Sequence, residues 1–186
     1  GAGQYIVLIV RNAVDEIPDS HWAKKDIQKF TSKYDLSTVF TGIESAFAPE
    51  DIVTRKEMVL LYEIVANKGS SGTGDIKQKL EMTGLDSIFN ARNVAGNVTK
   101  QEAAAVLVKV YSAKTGINVQ NLKLNRTLYI ADEDSIDDRF LKSVMIAVDK
   151  GFMELDANRK FNPGGSLNRA QVISIFVKLL ENTGDL

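Results

Sequence analysis

Three basic residues occupy the same place in a recurring hexapeptide. They are Arg55 in "VTRKEM" (Val53–Met58), Lys100 in "VTKQEA" (Val98–Ala103) and Arg169 in "LNRAQV" (Leu167–Val172). Each directly follows a helix-capping residue, and an apolar-periodic run follows each motif. Thr54/Glu57 and Thr99/Glu102 have the spacing of capping boxes, and Asn168/Gln171 is a weaker relative of the same pattern. The caps account for the Thr, Asn, Glu and Gln positions, each cap contributing about 0.5–2 kcal/mol. They do not account for the cations, because the first turn of a helix favours acidic residues over Arg or Lys. Two uses fit such a cation. Beside free backbone N–H groups it forms an anion site suited to a carboxylate or phosphate, with Arg55 and Arg169 able to bind through two parallel hydrogen bonds and Lys100 acting as a point charge. Alternatively it pairs with an acidic residue of a neighbouring unit.

The elements that carry these motifs repeat. "AFAPEDIVTR" (Ala46–Arg55) aligns with "KFNPGGSLNR" (Lys160–Arg169), both with Phe-x-Pro eight residues ahead of the arginine. Upstream, "VDEIPDSHWAKKDIQKF" (Val14–Phe30) parallels "ADEDSIDDRFLKSVMIAV" (Ala131–Val148) with one residue of slippage. Each unit reads as an Asp-containing loop, a helix, a Phe-x-Pro turn and a capped helix. The middle unit is worn, with Arg92 where Phe-x-Pro is due and its first helix expected around Asp75–Met82. Stripes at i, i+3, i+4, i+7 mark the buried faces of the capped helices: Met58, Leu61, Tyr62, Val65; Ala103, Val106, Leu107, Val110; and Val172, Ile175, Phe176, Leu179. Trp22, Ile27 and Phe30 give a looser stripe in the first unit, as do Phe140, Val144 and Ala147/Val148 in the third. Gly69, Gly116 and Gly184 fall where left-handed terminators belong. "NKGSSGTGD" (Asn67–Asp75) reads as a linker, and Gly116–Ile130 as an extended segment that packs. One helix pair cannot bury its stripe alone, so three pairs must close into one all-α domain. The expected divisions are an N-terminal extension over 1–12, then repeats over 13–69, 70–117 and 118–186.

Composition narrows the function. At 186 residues the chain can bury about 70% of its unfolded surface, so it needs no covalent staples. A net charge of −1 and the lack of any nucleic-acid-binding motif argue against nucleic acid as partner. With no cysteine there is no disulfide framework or thiolate metal site. A single histidine, His21, leaves little for a nucleophilic triad, and the acids show no repeated geometry for a glycan hydrolase. "DEDSIDD" (Asp132–Asp138) lacks the glycine and oxygen-ligand spacing of an EF-hand. "GSSGTGD" lacks the Lys-Ser/Thr of a phosphate loop. "YIVLIV" (Tyr5–Val10) is too short to span a bilayer. No metal, cofactor or membrane insertion is expected, and no enzymatic activity.

The repeated residues resemble S-layer homology modules. The likeness rests on the Asp-containing loop, the aromatic at helix one, Phe-x-Pro and a tetrapeptide like Thr-Arg-Ala-Glu opening helix two. It covers about Ala13 to Leu180, strongly in the first and third units. The resemblance implies a pseudo-threefold bundle of three helix-turn-helix repeats, outside the cell on a bacterial wall or surface layer. It implies non-covalent anchoring to secondary cell-wall polysaccharide, commonly pyruvylated, held in grooves between repeats. By position it nominates Arg55, Lys100 and Arg169 for the glycan carboxylate, Trp22 as an aromatic groove wall, and Asp15 and Asp132 as the loop aspartates. Phe140 stands where a second tryptophan is typical, and the Arg55 groove has the best case. The rival reading is an assembly module whose grooves take other surface-layer subunits.

Overall fold

The computed structural model describes residues 13–43, 45–66, 74–125 and 127–186. Tyr5–Val10, Gly69 and most of the Gly/Ser-rich linker lie outside them. The α-helices are α1 (Lys24–Thr31), α2 (Arg55–Ala66), α3 (Ile76–Thr83), α4 (Lys100–Thr115), α5 (Asp138–Asp149) and α6 (Arg169–Asn182). Short 3₁₀ turns join them, and the described residues contain isolated bridges but no strand. The fold is all-α.

The capped helices α2, α4 and α6 carry the predicted stripes inward: Met58, Leu61, Tyr62 and Val65, the α4 quartet, and Val172, Ile175, Phe176 and Leu179 are all buried. For α4 the stripe understates burial. Ala104, Ala105 and Val108 are covered too, because α2, α5 and α6 all pack on this helix. Phe30, Phe40, Phe47, Phe89, Phe152, Phe161 and Phe176 fill the interior at under 2% exposure, with Phe30 edge-on to Phe176 at 6.3 Å.

The pairing of helices departs from a simple helix-turn-helix. Each first helix packs on the capped helix of another unit: α3 on α2, α5 on α4 and α1 on α6. The connections from α1 to α2 and from α5 to α6 are long enough to carry each chain onto the next pair. Polar contacts fix these interfaces, with Lys79 Nζ on Glu63 at 2.7 Å, Asp137 N–H on Gln101 Oε1 at 3.0 Å and Ser174 Oγ on Asp26 at 2.6 Å. The Asp75 side chain caps α3 by accepting from Gln78 N–H at 2.9 Å. Gly116 and Gly184 are left-handed, at φ 71° and 74°. The Gly116–Ile130 segment runs through a 3₁₀ turn at Val119–Asn121, and Val119, Leu122 and Leu128 pack against the core.

The Phe-x-Pro turns share one unusual feature. Their central residues, Ala48 and Asn162, both sit in the left-handed region at φ 49° and 57°. In the third unit Asp132 holds that turn, accepting from Phe161 N–H at 2.7 Å and Asn162 N–H at 2.8 Å. Asp132→Ala removes both bonds and is expected to cost about 1–3 kcal/mol in urea unfolding. Asp132→Asn, which keeps one acceptor oxygen, should cost less.

Candidate functional site

The three capping motifs meet at one end of the bundle. All three caps are reciprocal. Thr54 N–H donates to Glu57 at 2.7 Å, and Glu57 N–H to Thr54 Oγ1 at 3.2 Å. Thr99 and Glu102 exchange bonds of 2.9 and 3.4 Å, and Asn168 and Gln171 exchange bonds of 2.9 and 2.8 Å. Asn168/Gln171 is thus a complete capping box rather than a weaker one.

The next two amides of each helix donate to a turn of another unit. Arg55 and Lys56 N–H reach Gly96 and Val94 O, both at 2.9 Å. Lys100 and Gln101 N–H reach Gly165 and Pro163 O at 2.8 and 3.1 Å, and Arg169 and Ala170 N–H reach Asp51 and Pro49 O, both at 2.9 Å. The bonds run from the first unit to the second, the second to the third and the third to the first, closing a ring. The amides expected to be free for an anion are therefore occupied: a helix end needs its N–H groups satisfied, and the neighbouring turn satisfies them.

The basic side chains follow this ring to different ends. Arg55 Nε lies 3.0 Å from both oxygens of Glu102, and its Nη1 donates to Asn93 O at 3.3 Å. Gly96 makes room for it, since a Cβ there would sit 2.7 Å from Nη1. Arg169, 6% exposed, donates to Phe47 O at 2.8 Å and Thr41 O at 3.0 Å, stacks over Phe40, and lies 3.7 Å from Asp51. Both arginines cross-link units, the second of the two uses open to such a cation. The groove given the best case from sequence has its cation neutralised from within.

Lys100 differs. Its ammonium lies 4.9 Å from the centre of the Phe161 ring, and it makes no ion pair among the described residues. Burial holds it below the usual lysine range, partly opposed by Asp132 and Asp156. It lines a cleft of about 220 Å³ with Trp22, Ser166, Gln171, Ser174 and Lys178. Glu154 is the one carboxylate in that lining and binds Lys178 Nζ at 2.6 Å.

Trp22 is 61% exposed, contrary to its expected place at the head of a buried stripe. Helix α1 starts at Lys24, and the inward positions are Ala23, Ile27 and Phe30. The same spacing in α5 puts Phe140, Val144 and Ala147 inward. Trp22 therefore corresponds to Arg139, not Phe140, and Arg139 lies over its own neighbour Phe140 and binds Asp137 at 2.7 Å. The α5/α4 groove has a cation where the α1/α6 cleft has an indole. His21 stacks beside Trp22 at 5.9 Å and bonds Glu50 at 3.2 Å. Asp15 is exposed, and its carbonyl accepts from Lys24 Nζ at 3.2 Å.

Of the nominated residues, the structure brings only Trp22 and Lys100, with the cap residue Gln171, to one cleft. Lys178 and Ser174 complete it and escaped sequence reasoning, since they lie on the helix flank beside the apolar stripe and belong to no motif.

Comparison with known families places this geometry. Residues 130–173 match the family model of the S-layer homology domain. That stretch is similar to an S-layer homology domain. The matched stretch runs from the Asp132 loop through α5 and the Phe161–Pro163 turn into the Asn168/Gln171 cap. Such domains attach to cell-wall components, which associates the chain with a cell surface or wall. An amylopullulanase of Thermoanaerobacterium thermosulfurigenes is 24% identical over 198 aligned residues, covering 98% of this chain. The chain spans about 10% of that relative's length. Among the described residues, no helix is long and apolar enough to cross a membrane.

Proposed function

We propose that the chain is three S-layer homology modules that anchor a larger exported protein, without catalysis, to pyruvylated wall polysaccharide. The three-module reading is supported by the closed ring of inter-unit amide bonds, which gives each capped helix an equivalent turn to dock on. The observation that carries the function is Trp22, the chain's one tryptophan, exposed at the cleft that holds Lys100 and Lys178. An indole left in water forgoes burial of a large apolar face, and it regains that burial when a sugar ring stacks on it. Lys100, desolvated and without an ion pair among the described residues, receives the ketal carboxylate as a point charge in this reading. A glycan hydrolase needs two carboxylates across its cleft, and this lining presents Glu154 alone, bound to Lys178.

Co-sedimentation with wall fragments tests this reading. Trp22→Ala is expected to weaken retention about tenfold or more, as loss of a buried aromatic anchor does, with unchanged circular dichroism. Equal retention of both proteins would remove the cleft from the reading. Oligomers that grow with concentration and ignore wall fragments would favour the assembly alternative.

A further inference from the structure

We infer that Gln171, at the third position of α6, opens the α1/α6 cleft by leaving Lys100 without the internal counter-ion that Glu102 gives Arg55. The inference rests on the glycan reading above. The hydrogen-bond register makes the equivalence explicit. Arg55 N–H bonds Gly96 O, and six residues further on Glu102 takes the Arg55 guanidinium through both oxygens. Lys100 N–H bonds Gly165 O in the same way, and six residues further on stands Gln171. Glu102 thus fills, as an internal counter-ion, the place a ligand carboxylate takes at a free cation. Gln171 caps α6 equally well, accepting from Asn168 N–H at 2.9 Å, but brings no charge to Lys100.

The third position around the ring is closed by another route. Arg169 N–H bonds Asp51 O, and six residues on is Glu57, whose carboxylate accepts from Thr54 N–H and Oγ1. Arg169 instead turns its guanidinium onto the Phe47 and Thr41 carbonyls. Among the described residues, Lys100 is thus the one of the three motif cations that no carboxylate or carbonyl of the next unit takes up, with Asp132 and Asp156 acting on it only through their charge. The same cleft is the one with Trp22 exposed, so among the described residues a motif cation and an exposed indole coincide there. The carboxylate of the glycan is therefore received at this cleft.

The test is Gln171→Glu, which keeps the capping geometry and places a carboxylate beside Lys100. Calorimetric titration with pyruvylated wall polysaccharide should show affinity falling about tenfold or more, the scale of losing a charge-assisted bond. The thermal midpoint should hold or rise slightly, because glutamate is a good residue at this helix position. The Lys100 side-chain resonance, followed by NMR, should titrate at higher pH in the variant than in wild type. Retained affinity in Gln171→Glu, or an unmoved Lys100 titration, would overturn the inference while leaving glycan binding intact. A wild-type protein that does not bind the polysaccharide would overturn the glycan reading, and the inference with it.

Discussion

Arg169→Ala is expected to destabilise the protein by about 3–5 kcal/mol, the largest effect of any single change at the motif end. Arg169 is 6% exposed, and its guanidinium supplies the hydrogen bonds received by Phe47 O and Thr41 O. A carbonyl left without a donor in a buried setting costs about 1–3 kcal/mol, which applies in full to Phe47 O and in part to the half-buried Thr41 O. The Phe40 ring also loses the cation stacked on it, 4.8 Å from its centre. Urea unfolding should show a lower midpoint with an unchanged slope, and the thermal midpoint should drop by about 10 °C for a chain of this size. Arg169→Lys should recover part of the loss only, because one ammonium cannot reproduce a fork that reaches two carbonyls and lies flat on a ring. A variant as stable as wild type would mean that the third unit is not tied to the first through this side chain.

Glu102→Ala should follow at about 2–4 kcal/mol, since Glu102 serves two elements at once. Its carboxylate accepts from Thr99 N–H at 2.9 Å, completing the cap of α4, and it receives Arg55 Nε at 3.0 Å. Alanine removes the cap bond and leaves Arg55, whose side chain is 18% exposed, without its counter-ion. Glu102→Gln separates the two contributions, because it keeps an acceptor for Thr99 while removing the charge. The glutamine variant should fall between wild type and alanine. Arg55→Ala should lose stability comparably to Glu102→Gln, and the double variant should show coupling between the two sites. Strict additivity would mean that the pair contributes nothing across the first and second units.

Much of the fold is legible in the residues because local signals and burial agree there. The three caps, the stripes of the capped helices, and Gly116 and Gly184 each point to one helix boundary or one buried face, and the structure uses them so. What could not be read is which helix packs on which. That depends on long connections carrying α1 to α6 and α5 to α4, a relation between units that no local period encodes. The site suffered from the same gap. Sequence presents Arg55, Lys100 and Arg169 as equivalents, yet their partners come from the next unit around the ring, so equivalence of motif conceals a difference of surroundings. The signal that separates them was present, in Gln171 where the other caps have glutamate, but its meaning depends on knowing that Lys100 and Gln171 face each other across a unit boundary. Trp22 was misplaced for a simpler reason. A one-residue slip in aligning the loops put it in register with Phe140, and only the inward spacing of Ala23, Ile27 and Phe30 corrects it.

The account stands on the α1/α6 cleft as the place where a wall glycan's carboxylate meets the protein. Calorimetric titration of wall polysaccharide, native and stripped of its ketal pyruvate, into wild type, Lys100→Met and Arg55→Met tests that most directly. The account predicts binding that needs both pyruvate and Lys100, and that survives Arg55→Met at a temperature where this variant is still folded. Binding indifferent to Lys100 and pyruvate, or lost with Arg55 in a folded protein, would contradict it.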